Sequence, residues 1–293
     1  MKLNLLIITI LLAIKLFSQN IEYATQTFKD TRIINGQSVE NTTQGTCTFI
    51  ISHRFGDIYQ NNPSSILYNF FGFSGGANMR IGLDYGIRNW WEIGAGRSNL
   101  DKTYDLFTKL RITRQSKGDK NFPVTISAYG DIAIVTDTSN ALLDTFFVDR
   151  FSYTGQLLIA RKFSERLSLQ LMPTFIHRNL VETAEEKNDA IAIGGAVRFQ
   201  LTDNVALNGE YYYTLPDQLP AGFDNSAALG VDITTKGHVF QLQLTNSPYL
   251  IPEYFIGKTT GKIIDDDANG KFDLNIRFGF NISRNFKIGG RQY

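Results

Sequence analysis

Polar and apolar residues alternate along most of this chain with a period of two. From 77 to 87, Ala77, Met79, Ile81, Leu83, Tyr85 and Ile87 fall on one face. Asn78, Arg80, Gly82, Asp84 and Gly86 fall on the other. A helix would scatter these residues around its surface, whereas a strand sorts them onto two faces. The stretches Ile191 to Leu201, His238 to Thr245 and Phe272 to Ser283 read the same way. The pattern predicts twelve strands, at about 45–56, 76–88, 90–99, 102–114, 122–136, 147–163, 165–178, 188–201, 204–215, 225–235, 237–247 and 271–286. Several are long enough for a tilted strand to cross a hydrocarbon core.

The connections between these segments fall into two classes. Short ones lie at 88–89, 115–121, 164–165, 202–203 and 235–237; long ones at 57–75, 137–146, 179–187, 216–224 and 248–270. The two classes alternate, with Leu100-Asp101 a short member of the long class. Short periplasmic turns and long extracellular loops are the habit of outer-membrane barrels, and an even strand number puts both termini in the periplasm. The expected fold is therefore all-β: a closed antiparallel transmembrane β-barrel of about 12 strands.

The polar face of the predicted strands carries both signs of charge. Its basic residues are Arg54, Arg80, Lys109, Arg111, Lys162, Arg198 and Arg277. Its acidic residues are Asp84, Glu92, Asp105, Asp131, Glu210, Asp232 and Asp273. In a barrel these become lumen-lining residues, which suggests salt bridges across the lumen. The apolar face then meets lipid, where a closed barrel satisfies every backbone group. Aromatics near strand ends suit interfacial girdles: Trp90, Trp91, Phe163 and Phe286 at one end, Tyr104, Phe151, Phe175 and Tyr213 at the other.

The N-terminus sets the compartment. Lys2 precedes an apolar run from Leu3 to Phe17, and Ser18 precedes Gln19, the pattern of a secretory signal peptide. The expected organisation is a signal peptide at 1–18, an N-terminal periplasmic arm or partial plug at 19–44, and a transmembrane barrel at 45–293. Losing Lys2 and Lys15 from the 29 Lys and Arg residues leaves 27 against 28 Asp and Glu. That balance argues against a nucleic-acid partner. A single cysteine, Cys47, forms no internal disulfide and reads as a small apolar filler on the lipid face.

Several phrases bring a family into view. They are TFKDTRIIN (Thr27 to Asn35), ISHRFG (Ile51 to Gly56), RIGLDYG (Arg80 to Gly86), QLLIARKFSERLSLQLMPTFIHR (Gln156 to Arg178) and FGFNISR (Phe278 to Arg284), with Asn179 to Asp189 and Gly237 to Asn246. The chain resembles the Bacteroidota outer-membrane β-barrel family catalogued as domain of unknown function 5777, over about residues 24 to 288. The resemblance implies an outer-membrane barrel and carries no catalytic residues with it. The acidic segment Pro248 to Gly270 departs from the shorter glycine-rich turn that the family pattern implies.

Candidate chemistry is sparse. Asp265, Asp267 and Asn269 in the string DDDANG match the first half of a calcium loop. Ile276 stands where the bidentate carboxylate belongs, so an ordinary hairpin entry explains the same letters. The three histidines, His53, His177 and His238, lack partners legible as a metal site or a triad. Gly72-Phe73-Ser74-Gly75-Gly76 spells G-x-S-x-G, but a strand follows it rather than the helix a nucleophile elbow requires. No enzyme and no cofactor is expected. Two functional readings remain: a narrow channel for small polar solutes, or a non-enzymatic scaffold or docking subunit of an outer-membrane complex. The cluster Ile66, Leu67, Tyr68, Phe70, Phe71 and Phe73 in the first long loop suits a partner site. Membrane lipid, and other outer-membrane or periplasmic proteins, are the expected partners.

Overall fold

The protein is described from a computed structural model. It covers residues 20–288 except 60–62, 138–145, 182, 184–185, 220, 261–262, 264, 267–271 and 274. The signal-peptide expectation for 1–18 thus lies outside the described residues.

Twelve antiparallel strands close into one barrel. They are β1 (Thr46–Asp57), β2 (Asn78–Arg88), β3 (Trp91–Ser98), β4 (Tyr104–Thr113), β5 (Thr125–Ile134) and β6 (Phe151–Lys162). The second half comprises β7 (Leu167–Arg178), β8 (Asp189–Gln200), β9 (Val205–Thr214), β10 (Ala227–Thr234), β11 (His238–Thr245) and β12 (Arg277–Lys287). Each strand pairs with its neighbour in sequence, and β12 returns to β1 with Phe280 opposite His53. Closure leaves the barrel without an open sheet edge, so its ladders pair strand backbone all the way around. No helix among the described residues is long and apolar enough to cross a membrane, so crossing is done by strands.

Side-chain alternation sets which face is which. On β2, Met79, Ile81, Leu83 and Tyr85 are exposed while Asn78, Arg80 and Asp84 are buried. On β8, Ile191, Ile193, Val197 and Phe199 are exposed while Ala190, Ala192, Ala196 and Arg198 are buried. This inverts a water-soluble protein: the outside is apolar and the inside is polar. The short connections gather at one end of the barrel and the long ones at the other. β-bulges interrupt the ladders at Gly86/Arg88 and Arg111/Thr113 on the short-turn rim and at Arg277/Gly279 on the long-loop rim.

The last strand differs from its expected span. Phe272–Asp273 pairs with Asp265–Asp266 in a separate two-stranded hairpin, and β12 begins at Arg277. Asp273 therefore belongs to a loop hairpin and is not on a barrel strand. The alternating letters continue the strand pattern through Phe272 and Asp273, which the structure places in the loop hairpin. Two short α-helices lie in the long loops, α1 (Ser65–Tyr68) in the first and α2 (Pro252–Gly257) in the last.

The chain ahead of β1 enters the barrel. Residues 27–42 fold as a tight hairpin: Ser38 N donates to Thr31 O at 2.9 Å and Ile33 N to Gly36 O at 2.8 Å, which puts Asn35 at the tip. Phe28, Ile33, Ile34 and Val39 from this hairpin are almost fully buried, in one cluster with Phe107, Tyr129, Leu158, Met172 and Tyr212 of the inner wall. At its base the hairpin backbone presses on β2: a Cβ on Gly86 would lie 2.3 Å from Thr43 O, so only glycine admits the approach. Ahead of it, Ile21–Tyr23 pairs with Ser116–Gly118.

Candidate functional site

The interior of the barrel is the candidate site, and its charges are organised in two tiers. One tier lies within the wall. Arg80 on β2 makes a bidentate ion pair with Asp105 on β4, its Nε donating to Oδ1 at 2.8 Å. Lys109 on β4 and Glu92 on β3 pair at 3.1 Å, both with fully buried side chains. These pairs join nearby strands and do not cross the lumen as expected, because the hairpin occupies the axis.

The second tier ties the wall to the hairpin. Arg32 pairs with Asp84 at 3.0 Å, and its guanidinium sits 5.0 Å from the centre of the Phe107 ring. Thr42 N donates to Glu92. Ser283 on β12 donates to Asp30. The Glu210 carboxylate on β9 accepts three successive backbone N–H groups at the hairpin tip: Ile34 at 3.3 Å, Asn35 at 2.7 Å and Gly36 at 3.1 Å. Gln170 on β7 and Gln241 on β11 add bonds to Val39 N, Gln37 O and Ile33 O. Side chains of at least six strands thus hold one polar segment. Charge-assisted bonds to backbone N–H groups are roughly twice as strong as neutral ones, so Glu210 is the strongest single anchor.

The remaining charged positions are less central. Arg54 is buried and bonds to Asn35 Oδ1 at 2.7 Å and Asn281 Oδ1 at 3.2 Å. Asp232 accepts from Gln241 at 3.0 Å, and Arg198 donates to Gln200 at 2.5 Å. Three residues lie at the rims. Arg111 faces Glu40 at 3.6 Å, Lys162 faces Glu165 at 2.6 Å, and Arg277 faces Asp57 at 2.7 Å. The side chain of Asp273 is outside the described residues.

The long-loop mouth is filled by α2, all six residues of which are buried. Ser152 Oγ donates to Glu253 Oε1 at 3.0 Å, Arg178 donates to Glu253 O at 3.0 Å, and Thr214 Oγ1 donates to Ile256 O at 3.3 Å. Burial pushes the Glu253 carboxyl up to about 7. The Phe255 ring meets the Tyr212 ring edge-on at 5.3 Å. Tyr212 also limits the hairpin tip, since a Cβ on Gly36 would lie 2.0 Å from its hydroxyl. One tyrosine thus touches both the hairpin and α2. Sequence reasoning missed α2, although Pro252 followed by Glu253 and Tyr254-Phe255-Ile256 is a short helix start.

The other candidates resolve as follows. In the first long loop, Leu67 and Tyr68 are 76% and 81% exposed, with Phe70 and Phe71 also exposed and Ile66 partly buried. Phe73 turns back onto the outer wall, 4.3 Å from Phe55 and 5.6 Å from Phe278. His53 stacks on Phe280 at 5.3 Å. His177 Nδ1 lies 2.6 Å from Asp189 Oδ1 and its ring stacks beside Tyr153 on the outer face. Gly72 and Gly75 close against Gly56, and the next element is β2, so Ser74 is on no nucleophile elbow. Asp267 and Asn269 lie outside the described residues, and Asp265 is described only as backbone of the short hairpin. Among the described residues no three His, Cys, Asp or Glu side chains converge as a metal site.

An apolar outer face, a polar lumen and a closed twelve-stranded ladder define a membrane-spanning β-barrel protein. The chain belongs to the family of the membrane-bound β-barrel domain DUF5777, whose match runs over residues 28–286 and so takes in the lumenal hairpin with the barrel. Among solved structures the chain is similar to the KdgM porin, with 8% identity over 82% of this chain and 99% of that one and a TM-score of 0.49. It is similar to the NanC porin at 10% identity, the same two coverages and a TM-score of 0.48. An active-site mutant of outer membrane phospholipase A from Escherichia coli matches at 11% identity over 84% and 91% of the two chains, with a TM-score of 0.43. Among curated proteins none matches the sequence.

Proposed function

We propose that the protein is an outer-membrane barrel whose conduit for small polar solutes is closed at rest and opens when the lumenal hairpin moves. The observation that carries this reading is the character of the hairpin's contacts. Beside the apolar packing of Phe28, Ile33, Ile34 and Val39, they include many hydrogen bonds and ion pairs to wall side chains, above all the three N–H bonds to Glu210. Water can replace such contacts at a net cost of about 0.5–1.5 kcal/mol for a neutral bond and about 1.5–3 kcal/mol for one to a charged group. The wall the hairpin would uncover is charged and hydrophilic, as a polar conduit requires. In this reading the short turns and both chain ends face the periplasm.

Planar-bilayer conductance tests it. The intact chain should be nearly silent, and a chain lacking residues 27–42 or carrying Glu210→Ala should show discrete conducting steps. Silence in all three would sink the channel.

A second reading, a scaffold or docking subunit, draws on the first long loop. Phe70 and Phe71 adopt left-handed backbone conformations, φ 44° and 56°, with Gly72 at 86°. Such strain costs of order 1–3 kcal/mol per residue and persists where the surroundings demand it. Leu67, Tyr68, Phe70 and Phe71 beside it are all exposed.

A further inference from the structure

A second set of buried groups lies at the long-loop mouth, apart from the hairpin anchors. Asp131 on β5 stands directly opposite Thr154 on β6 in the ladder. Directly opposed side chains have Cβ atoms about 5 Å apart. Ser152 precedes Thr154 by two residues on the same inward face and holds Glu253 by a 3.0 Å bond. The register therefore brings two carboxyls and a hydroxyl into one corner between the wall and α2. All three side chains are at least 97% buried. One oxygen of each has no protein partner: Asp131 Oδ1, Glu253 Oε2 and Thr154 Oγ1. The nearby Arg80 is bound to Asp105 in a bidentate pair.

We propose that Asp131, Glu253 and Thr154 form a binding site for one calcium-type cation, which pins α2 in the mouth of the barrel. The chemistry is specific. The exposed lone pairs are all oxygen, with no sulfur or imidazole, which selects a hard cation. Two carboxylates match a divalent charge. Burying two unpaired carboxylates together is costly, and a bound cation reverses that balance. The three donors come from two wall strands and one loop helix, and not from one dedicated binding loop. Calcium tolerates irregular oxygen sets and completes its shell with water, whereas magnesium demands near-ideal octahedral geometry. Glu253 is the single ligand contributed by the loop helix, so occupancy of the site reads out directly as docking of α2. This assignment holds whether or not the barrel conducts, and it is separate from the Asp265–Asn269 string.

The test uses the purified full-length chain in detergent micelles. Calcium chloride is titrated by calorimetry, and terbium luminescence is excited through tyrosine. Tyr129 donates to Asp131 Oδ2 at 3.3 Å and Tyr254 adjoins Glu253, so bound terbium should be sensitised. One calcium per chain is expected. Asp131→Asn and Glu253→Gln should each weaken binding at least tenfold, and Thr154→Val several-fold. Asp267→Asn should leave it unchanged. Calcium should also slow proteolysis of the 248–276 loop in the intact chain and do so less in the Thr154→Val chain. If Asp131→Asn prevents folding, Glu253→Gln and Thr154→Val decide. No uptake, or uptake lost in Asp267→Asn but kept in Glu253→Gln, overturns the assignment.

Discussion

Arg54 on β1 and Glu210 on β9 hold Asn35 from two sides. Arg54 Nη2 donates to the Asn35 side-chain oxygen at 2.7 Å, and Asn35 N donates to Glu210 Oε1 at 2.7 Å. The two side chains reach the hairpin tip from strands four places apart around the barrel. Asn35 is thereby bound through both its backbone and its side chain.

Glu210→Ala should therefore release the tip more than any other single change in the lumen. It strands three backbone N–H groups in a dry interior. The expected loss of hairpin docking is about 3 kcal/mol, the scale for removing one partner of a buried charged contact. Hydrogen exchange at Ile34, Asn35 and Gly36 should rise by roughly a hundredfold, while exchange in the barrel strands stays slow. Unchanged exchange at the tip would refute the anchor role.

Arg32 and Asp84 should behave as a coupled pair. Arg32→Met leaves Asp84, among the described residues, with the Thr31 hydroxyl 3.2 Å away as its remaining side-chain donor. Either single change should cost about 3 kcal/mol in urea denaturation, and the double change Arg32→Met with Asp84→Leu should recover much of that. A cycle with no coupling energy would show that the pair at 3.0 Å contributes nothing.

Gly36→Ala should push the tip away from Tyr212, because the new methyl would lie 2.0 Å from the hydroxyl. Overpacking of this kind costs about 1–3 kcal/mol. Tyr212→Phe removes the clashing oxygen and should restore part of the loss. Tyr212 also touches Phe255, so the Gly36→Ala chain should show faster proteolysis of the last loop as well.

The first long loop should be dispensable for the barrel. Leu67, Tyr68 and Phe70 are mostly exposed, so Leu67→Ser with Phe70→Ser should shift the melting temperature by less than one degree or two, within about 0.5 kcal/mol. Loss of a copurifying partner in that variant, with an unchanged melt, would support the docking reading. Phe73→Ser should destabilise, because Phe73 packs on Phe55 and Phe278.

The strands were legible because one face meets hydrocarbon. That contrast writes a two-residue period into residues such as Ile81, Leu83 and Tyr85, and the structure follows it closely. The charged inner face was legible for the same reason. The hairpin was only half legible, since residues 19–44 read equally as an arm or a partial plug. Residues such as Asp30, Arg32 and Asn35 are buried against polar partners, so their letters look like those of a solvated arm. Their partners lie far along the chain: Asp84 is 52 residues from Arg32, and Glu210 is 175 from Asn35. No local pattern encodes such pairings. Asp273 misled for the converse reason, since alternation continued past the strand into a loop hairpin.

The course of the hairpin through the lumen also constrains how the molecule is built. Asn281 bonds to Ile34 O across 247 residues and Ser283 bonds to Asp30 across 253, both from β12, the strand that seals the cylinder against β1. The hairpin's bonding is therefore complete only when β12 has sealed the cylinder against β1. Contacts of such long range are slow to form.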